Sequence, residues 1–225
     1  ILFARNVGNP DQLSALTASI RDSVGWNAPI LIDQEGGRVQ RMRAPHWQEY
    51  MPALDQINGT RNDAYRGMYL RNLLIARELM SVGIDVNCAP VGDLSWPETH
   101  PVLLNRCYGS GVETVVELCR ASADGMMAAG VLPVLKHIPG YGRAVVDGHK
   151  ELPRVDVSRA ELERTDFAPF RALTDIAMGM TAHIVYPCID DAPATTSKKA
   201  MTMIRDDIGF NNLIMTDDIS MEALS

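Results

Sequence analysis

The 225-residue chain has room for one large α/β domain or two small ones, and its 46% apolar content is ample for a sizeable core. Charged residues make up 22% of it, which argues against disorder. Its net charge of -7, with no basic run, argues against nucleic acid and acidic membrane surfaces as partners.

Six short apolar runs read as strands: Ile1–Ala4, Pro29–Asp33, Ile84–Ala89, Leu132–His137, Ala177–Ile184 and Leu213–Thr216. Several are apolar nearly throughout, as strands buried on both faces should be. Helical patterns lie between them. Leu13, Leu16, Ile20 and Val24 are expected to share a face after Pro10 and Asp11, and Leu70, Leu73, Leu74 and Leu79 to share one before Gly83. Val112, Val115, Val116 and Cys119 open a helix expected to stop near Gly130. Ser158 and Glu161 have capping-box spacing ahead of Leu162, Phe167 and Phe170. Strand–helix repetition implies a parallel sheet with helical crossovers. An open doubly wound sheet and a (β/α)₈ barrel both fit, although barrels usually need about 250 residues.

Four cysteines, Cys88, Cys107, Cys119 and Cys188, form no CxxC pair and read as reduced, packed thiols of a cytosolic protein. No apolar run reaches the roughly 18 residues of a membrane span, and no secretory signal is visible. The first residue is Ile1 rather than Met, so the natural start is expected upstream.

Polar residues gather just after the strands: Asp33, Asp93, Lys136, His137, His183 and Asp217. In a parallel barrel that rim carries the chemistry. Three segments stand out. The first is Asp33-Gln34-Glu35-Gly36-Gly37-Arg38-Val39-Gln40-Arg41, an acidic strand tip followed by a glycine turn. An ionised carboxylate there can accept two sugar hydroxyls; the alternative is an ordinary turn with a local ion pair. The second runs from Lys136-His137 through a Gly- and Pro-rich stretch to Asp147-Gly148-His149. A carboxylate beside an imidazole makes a general acid/base for near-neutral pH; a solvated surface histidine is the competing reading. The third is Met215-Thr216-Asp217-Asp218-Ile219-Ser220-Met221. Strand alternation lets Asp217 face a pocket as a nucleophile, while Asp218 suits a helix N-cap. Arg106 sits in the loop Asn105-Arg106-Cys107-Tyr108-Gly109, and His183 reads as a buried, hydrogen-bonded side chain. No HExxH, Walker or dinucleotide motif is present, so neither a metal nor another cofactor is expected.

Taken in order, DQEGGRVQR, GIDVNCAPVGDL, NRCYG, KHIPGYGR…DGH and TDDISM resemble the family 3 glycoside hydrolases of the NagZ type, and the likeness runs almost end to end. The resemblance implies a TIM-type (β/α)₈ barrel forming a single catalytic domain over residues 1–225. It also implies retaining exo-hydrolysis of β-linked N-acetylglucosamine. The nucleophile would be Asp217 and the acid/base His149, assisted by Asp147. Asp33, Arg41, Arg106, Lys136 and His137 would grip the sugar. The implied setting is cytoplasmic recycling of muropeptides in which N-acetylglucosamine is linked to anhydro-N-acetylmuramic acid.

Two details differ from the family's usual pattern: Gly140-Tyr141-Gly142 stands where GHG is common, and Asp147-Gly148-His149 where DSH is common. Family members also extend further at both ends, which implies a barrel incomplete in this chain. A phosphorylase on the same scaffold, or an inactive sugar-binding remnant, are the competing functional readings.

Overall fold

The structure, a computed structural model, describes residues 1–60, 63–146 and 151–221. Its strands are β1 (Leu31–Ile32), β2 (Gln34–Gly36), β3 (Val39–Gln40), β4 (Val86–Asn87), β5 (Leu132–Ile138), β6 (Met178–Thr181) and β7 (Leu213–Thr216). The α-helices are α1 (Pro10–Val24), α2 (Ala53–Gly59), α3 (Ala64–Ser81), α4 (Pro101–Leu104), α5 (Val112–Ala128), α6 (Arg159–Arg164), α7 (Ala168–Ala172) and α8 (Lys198–Met203). The chain divides into two compact units: residues 1–90 with 121–134, and residues 91–120 with 135–225. Strand β5 and helix α5 each contribute residues to both.

In the first unit, β1 pairs in parallel with β4 (Leu31 with Val86, Ile32 with Asn87), and β4 pairs in parallel with the start of β5. Helix α1 begins where Asn9 accepts from the Gln12 amide, has Pro10 in its first turn, and ends at Gly25 with φ 75°. This is the usual division of labour between a polar N-cap, an early proline and a left-handed glycine. Asp85 joins helix to strand: it accepts from the Ile30 amide at 2.7 Å and from Arg21 at 3.0 Å. The core beneath holds Leu13, Ile32, Ile75, Leu79, Ile84 and Met126.

The expected apolar face of α3 needs correction. Met68, Asn72, Ile75, Ala76 and Leu79 turn inward, whereas Leu70 and Leu74 are exposed. Leu79 lies nine residues from Leu70. At roughly 3.6 residues per turn that is half a turn out of phase, so the two leucines cannot share a face.

In the second unit, β6 and β7 pair in parallel over four residues, Met178 with Leu213 through Thr181 with Thr216. The Ala182 amide donates to the Ile138 carbonyl at the end of β5. Leu103, Leu162, Phe167, Phe170, Ile204 and Phe210 are fully buried here. Ser158 caps α6 by accepting from the Glu161 amide, as its spacing predicted. Each unit thus shows the parallel strand–helix organisation expected from the sequence. The expected first strand is reduced to one bridge, Leu2 with Ile32, followed by a 3-10 turn at Ala4–Asn6.

Candidate functional site

Asp93 is the most enclosed acid among the described residues of the second unit. Its side chain has 0% exposure, and its Oδ2 lies 2.7 Å from Nδ1 of His137, which itself retains 8%. Oδ1 accepts the Tyr141 amide at 2.7 Å and the His137 amide at 3.3 Å. A carboxylate accepts only. Nδ1 therefore carries a proton, and the ring presents Nε2 on its other side. One buried acid thereby sets both the imidazole at the tip of β5 and the start of the Gly-rich segment that follows.

His137 lines a cavity with Val102, Arg106, Tyr141, Ala182, His183, Asp217 and Met221. The cleft holds about 370 Å³ of space including the part open to solvent. Asp217 reaches it from the end of β7, directly after Thr216. The Asp218 amide donates to Asp217 Oδ1 at 2.8 Å, and Asp218 Oδ1 accepts from the Ser220 amide at 2.9 Å. Asp217 therefore lines the cavity as expected, while Asp218, expected as a helix N-cap, caps a turn among the described residues. His183 is buried, with hydrogen-bond partners on both ring nitrogens, also as expected.

The segment after His137 is held by a second acid, Asp166. It accepts from Arg143 Nε at 2.8 Å and from Trp96 Nε1 at 3.1 Å, and the Arg143 guanidinium lies 3.6 Å from the centre of the Trp96 ring. Burial alone would lower the pKa of Arg143, but hydrogen bonds and charge from Asp166 and Glu161 outweigh it and hold the pKa above the usual value. An added Cβ on Gly142 would overlap the Leu94 carbonyl, so only glycine fits there.

In the first unit, Asp33 Oδ2 pairs with Arg41 at 3.1 Å, with side-chain exposures of 17% and 26%. The intervening turn is the β2–β3 hairpin, with Gly36 at φ 98° and Gly37 at φ 59°. Buried Gln34 braces it: its Oε1 accepts the amides of Arg41 and Met42, and its Nε2 donates to the Met42 carbonyl. Arg71, from α3, reaches the Glu35 and Met51 carbonyls at 2.7 and 2.6 Å.

The structure therefore gathers Arg106, His137 and Asp217 around one cavity and pairs Asp33 with Arg41. Lys136 is buried on β5 beside His137. Asp147 and His149 lie outside the described residues. Two further residues shape the cavity: Asp93, expected only as one of the strand-end polar residues, and Tyr141, noted only as a departure from the family pattern. The position of Asp93 after a strand was a visible signal, but its partner His137 is 44 positions away.

Parallel strands carrying an acid and imidazoles at or just beyond their ends, with a guanidinium from the loop after α4, line a polar cleft in an α/β fold. The family description "Glycosyl hydrolase family 3 N terminal domain" matches residues 1–225, and the chain belongs to that family. A "Beta-hexosaminidase" of Tolumonas auensis is 39% identical over 99% of this chain and 67% of its own length. One from Alkalilimnicola ehrlichii is 39% identical over 99% and 65%. The chain thus spans about two thirds of these relatives. Among solved structures, NagZ from Neisseria gonorrhoeae in complex with N-trifluoroacetyl-D-glucosamine superposes with a TM-score of 0.90 at 36% identity, covering 97% of this chain and 66% of that one. A family 3 β-N-acetylglucosaminidase from Paenibacillus reaches 0.90 at 31% identity, covering 100% and 44%. Among the described residues, no helix is long and apolar enough to cross a membrane.

Proposed function

We propose that the chain is the catalytic domain of a retaining exo-β-N-acetylglucosaminidase. The observation that carries this is the cavity where Asp217 and His137, at the ends of parallel strands, meet Arg106 from the loop after α4. The likeness to Neisseria NagZ, solved with N-trifluoroacetyl-D-glucosamine bound, supports the sugar class.

In this reading one Asp217 oxygen attacks the anomeric carbon while His149, assisted by Asp147, protonates the departing glycosidic oxygen. The covalent glycosyl-aspartate is then released by water, from which His149 takes the proton. Asp33, Arg41, Arg106, Lys136 and His137 have substrate-binding roles. The same reading takes residues 1–225 as one domain belonging to a (β/α)₈ barrel. It places the protein in the cytoplasm, acting on muropeptides that carry N-acetylglucosamine on anhydro-N-acetylmuramic acid.

The test compares aryl β-N-acetylglucosaminide with aryl β-glucoside. The first should be cleaved with retention, and Asp217→Ala should remove roughly 10⁴-fold or more of kcat, as loss of a nucleophile does elsewhere. Undiminished turnover by Asp217→Ala would sink the assignment.

A further inference from the structure

His183 follows β6 by two residues, lines the cavity, and is buried. On one side its Nδ1 is 2.8 Å from the Thr195 hydroxyl, which is itself 3.0 Å from Thr181 Oγ1 on β6. On the other side its Nε2 is 3.0 Å from the backbone carbonyl oxygen of Asp218. A carbonyl oxygen only accepts, so Nε2 must carry a proton and donate it. The same residue, Asp218, turns its amide to Asp217 Oδ1 at 2.8 Å. The backbone of Asp218 is thus held at its carbonyl by His183, and at its amide it orients the carboxylate of Asp217. Oδ2 is then the oxygen that the proposed nucleophile role assigns to the attack. The Asp217 amide also reaches the Thr181 carbonyl, at a long 3.4 Å.

We propose that His183 is a positioning residue for Asp217: an Nε2 proton donor that fixes the Asp218 peptide and, through it, the rotamer of the attacking carboxylate. This rests on the nucleophile role proposed for Asp217. It assigns the buried imidazole a task in the reaction rather than in sugar binding or packing alone.

Three variants of the full chain separate these roles. In His183→Gln the amide nitrogen sits at the level of Nε2 and keeps the donor. In His183→Asn it stops at the level of Nδ1, and His183→Leu has no donor. On aryl β-N-acetylglucosaminide, the Gln variant should keep most of the wild-type kcat. The Asn and Leu variants should lose about tenfold, the kinetic equivalent of one hydrogen bond, with KM nearly unchanged. If Gln is as slow as Asn, or if the loss falls mainly on KM, the proposal is overturned. A second measurement needs no turnover. Nitrogen-15 NMR of the histidine-labelled wild type, with the resonance assigned by its loss in His183→Gln, should show Nε2 protonated at neutral pH. A bare Nε2 overturns the proposal even in an active enzyme. Absence of any glycosidase activity in the wild type would instead remove the functional reading while leaving this protonation result standing.

Discussion

Two carboxylates near strand ends hold nitrogen-bearing side chains in this molecule, and the two arrangements differ. Asp33 and Arg41, in the first unit, remain 17% and 26% exposed across a hairpin only eight residues apart in sequence. Asp93 and His137, in the second, are 0% and 8% exposed and are joined across 44 residues. An exposed ion pair contributes little to folding because water and salt screen it. A buried one leaves an uncompensated group if either partner is lost. Accessible pairs are therefore suited to exchanging a protein partner for a ligand hydroxyl, and enclosed pairs to holding a ring still.

The largest effect that follows is on stability. Asp93→Ala should lower the unfolding free energy by about 3–5 kcal/mol, the usual cost of breaking a buried pair, read from urea denaturation. It should also abolish turnover, since His137 and the Tyr141 amide lose their common acceptor. A loss below about 1 kcal/mol would mean the pair is not enclosed as described.

Asp33→Ala should show the opposite profile. The urea midpoint should barely move, corresponding to less than about 1 kcal/mol. The value of kcat/KM should fall roughly 10- to 100-fold if the carboxylate accepts sugar hydroxyls, since a hydrogen bond to a charged group contributes about 1.5–3 kcal/mol. Equal losses of stability for Asp33→Ala and Asp93→Ala would erase the distinction between the two pairs.

Gly36→Ala tests what supports the more open pair. At φ 98° an L side chain is strained, and the added Cβ would overlap the Arg71 guanidinium that binds the Glu35 and Met51 carbonyls. A loss of about 1–3 kcal/mol is expected from the strain alone, with catalysis weakened alongside it. An unchanged midpoint would show that Arg71 does not set the hairpin.

The smallest effect concerns a third acid, Glu78, whose Oε1 accepts the Gln48 amide at 3.2 Å. Burial pushes its carboxyl above the ordinary range, with the Gln48 hydrogen bond opposing. A carboxyl raised by folding contributes stability while protonated and loses it as pH rises through the folded pKa. Glu78→Gln should therefore be slightly more stable than wild type at neutral pH, and the difference should vanish as pH falls below the ordinary carboxylate range. A gain that grows on acidification has the wrong sign for this account.

The sequence by itself determined the local grammar. Strand β7 spans Leu213–Thr216 as its apolar run predicted, β5 differs from the expected strand by one residue, and α5 stops two residues before the left-handed Gly130. The division between Asp217 and Asp218 was legible as well, because alternation along a strand and capping of the next turn are short-range rules. Tertiary structure alone decided which face of α3 turns inward, that Arg71 crosses to the hairpin carbonyls, that Asp93 and not a nearer acid holds His137, and that His183 meets the Asp218 carbonyl 35 positions away. Those outcomes depend on which polar groups become enclosed together once the strands are paired. Burial multiplies the value of a hydrogen bond between residues distant in sequence, and no local periodicity encodes that enclosure.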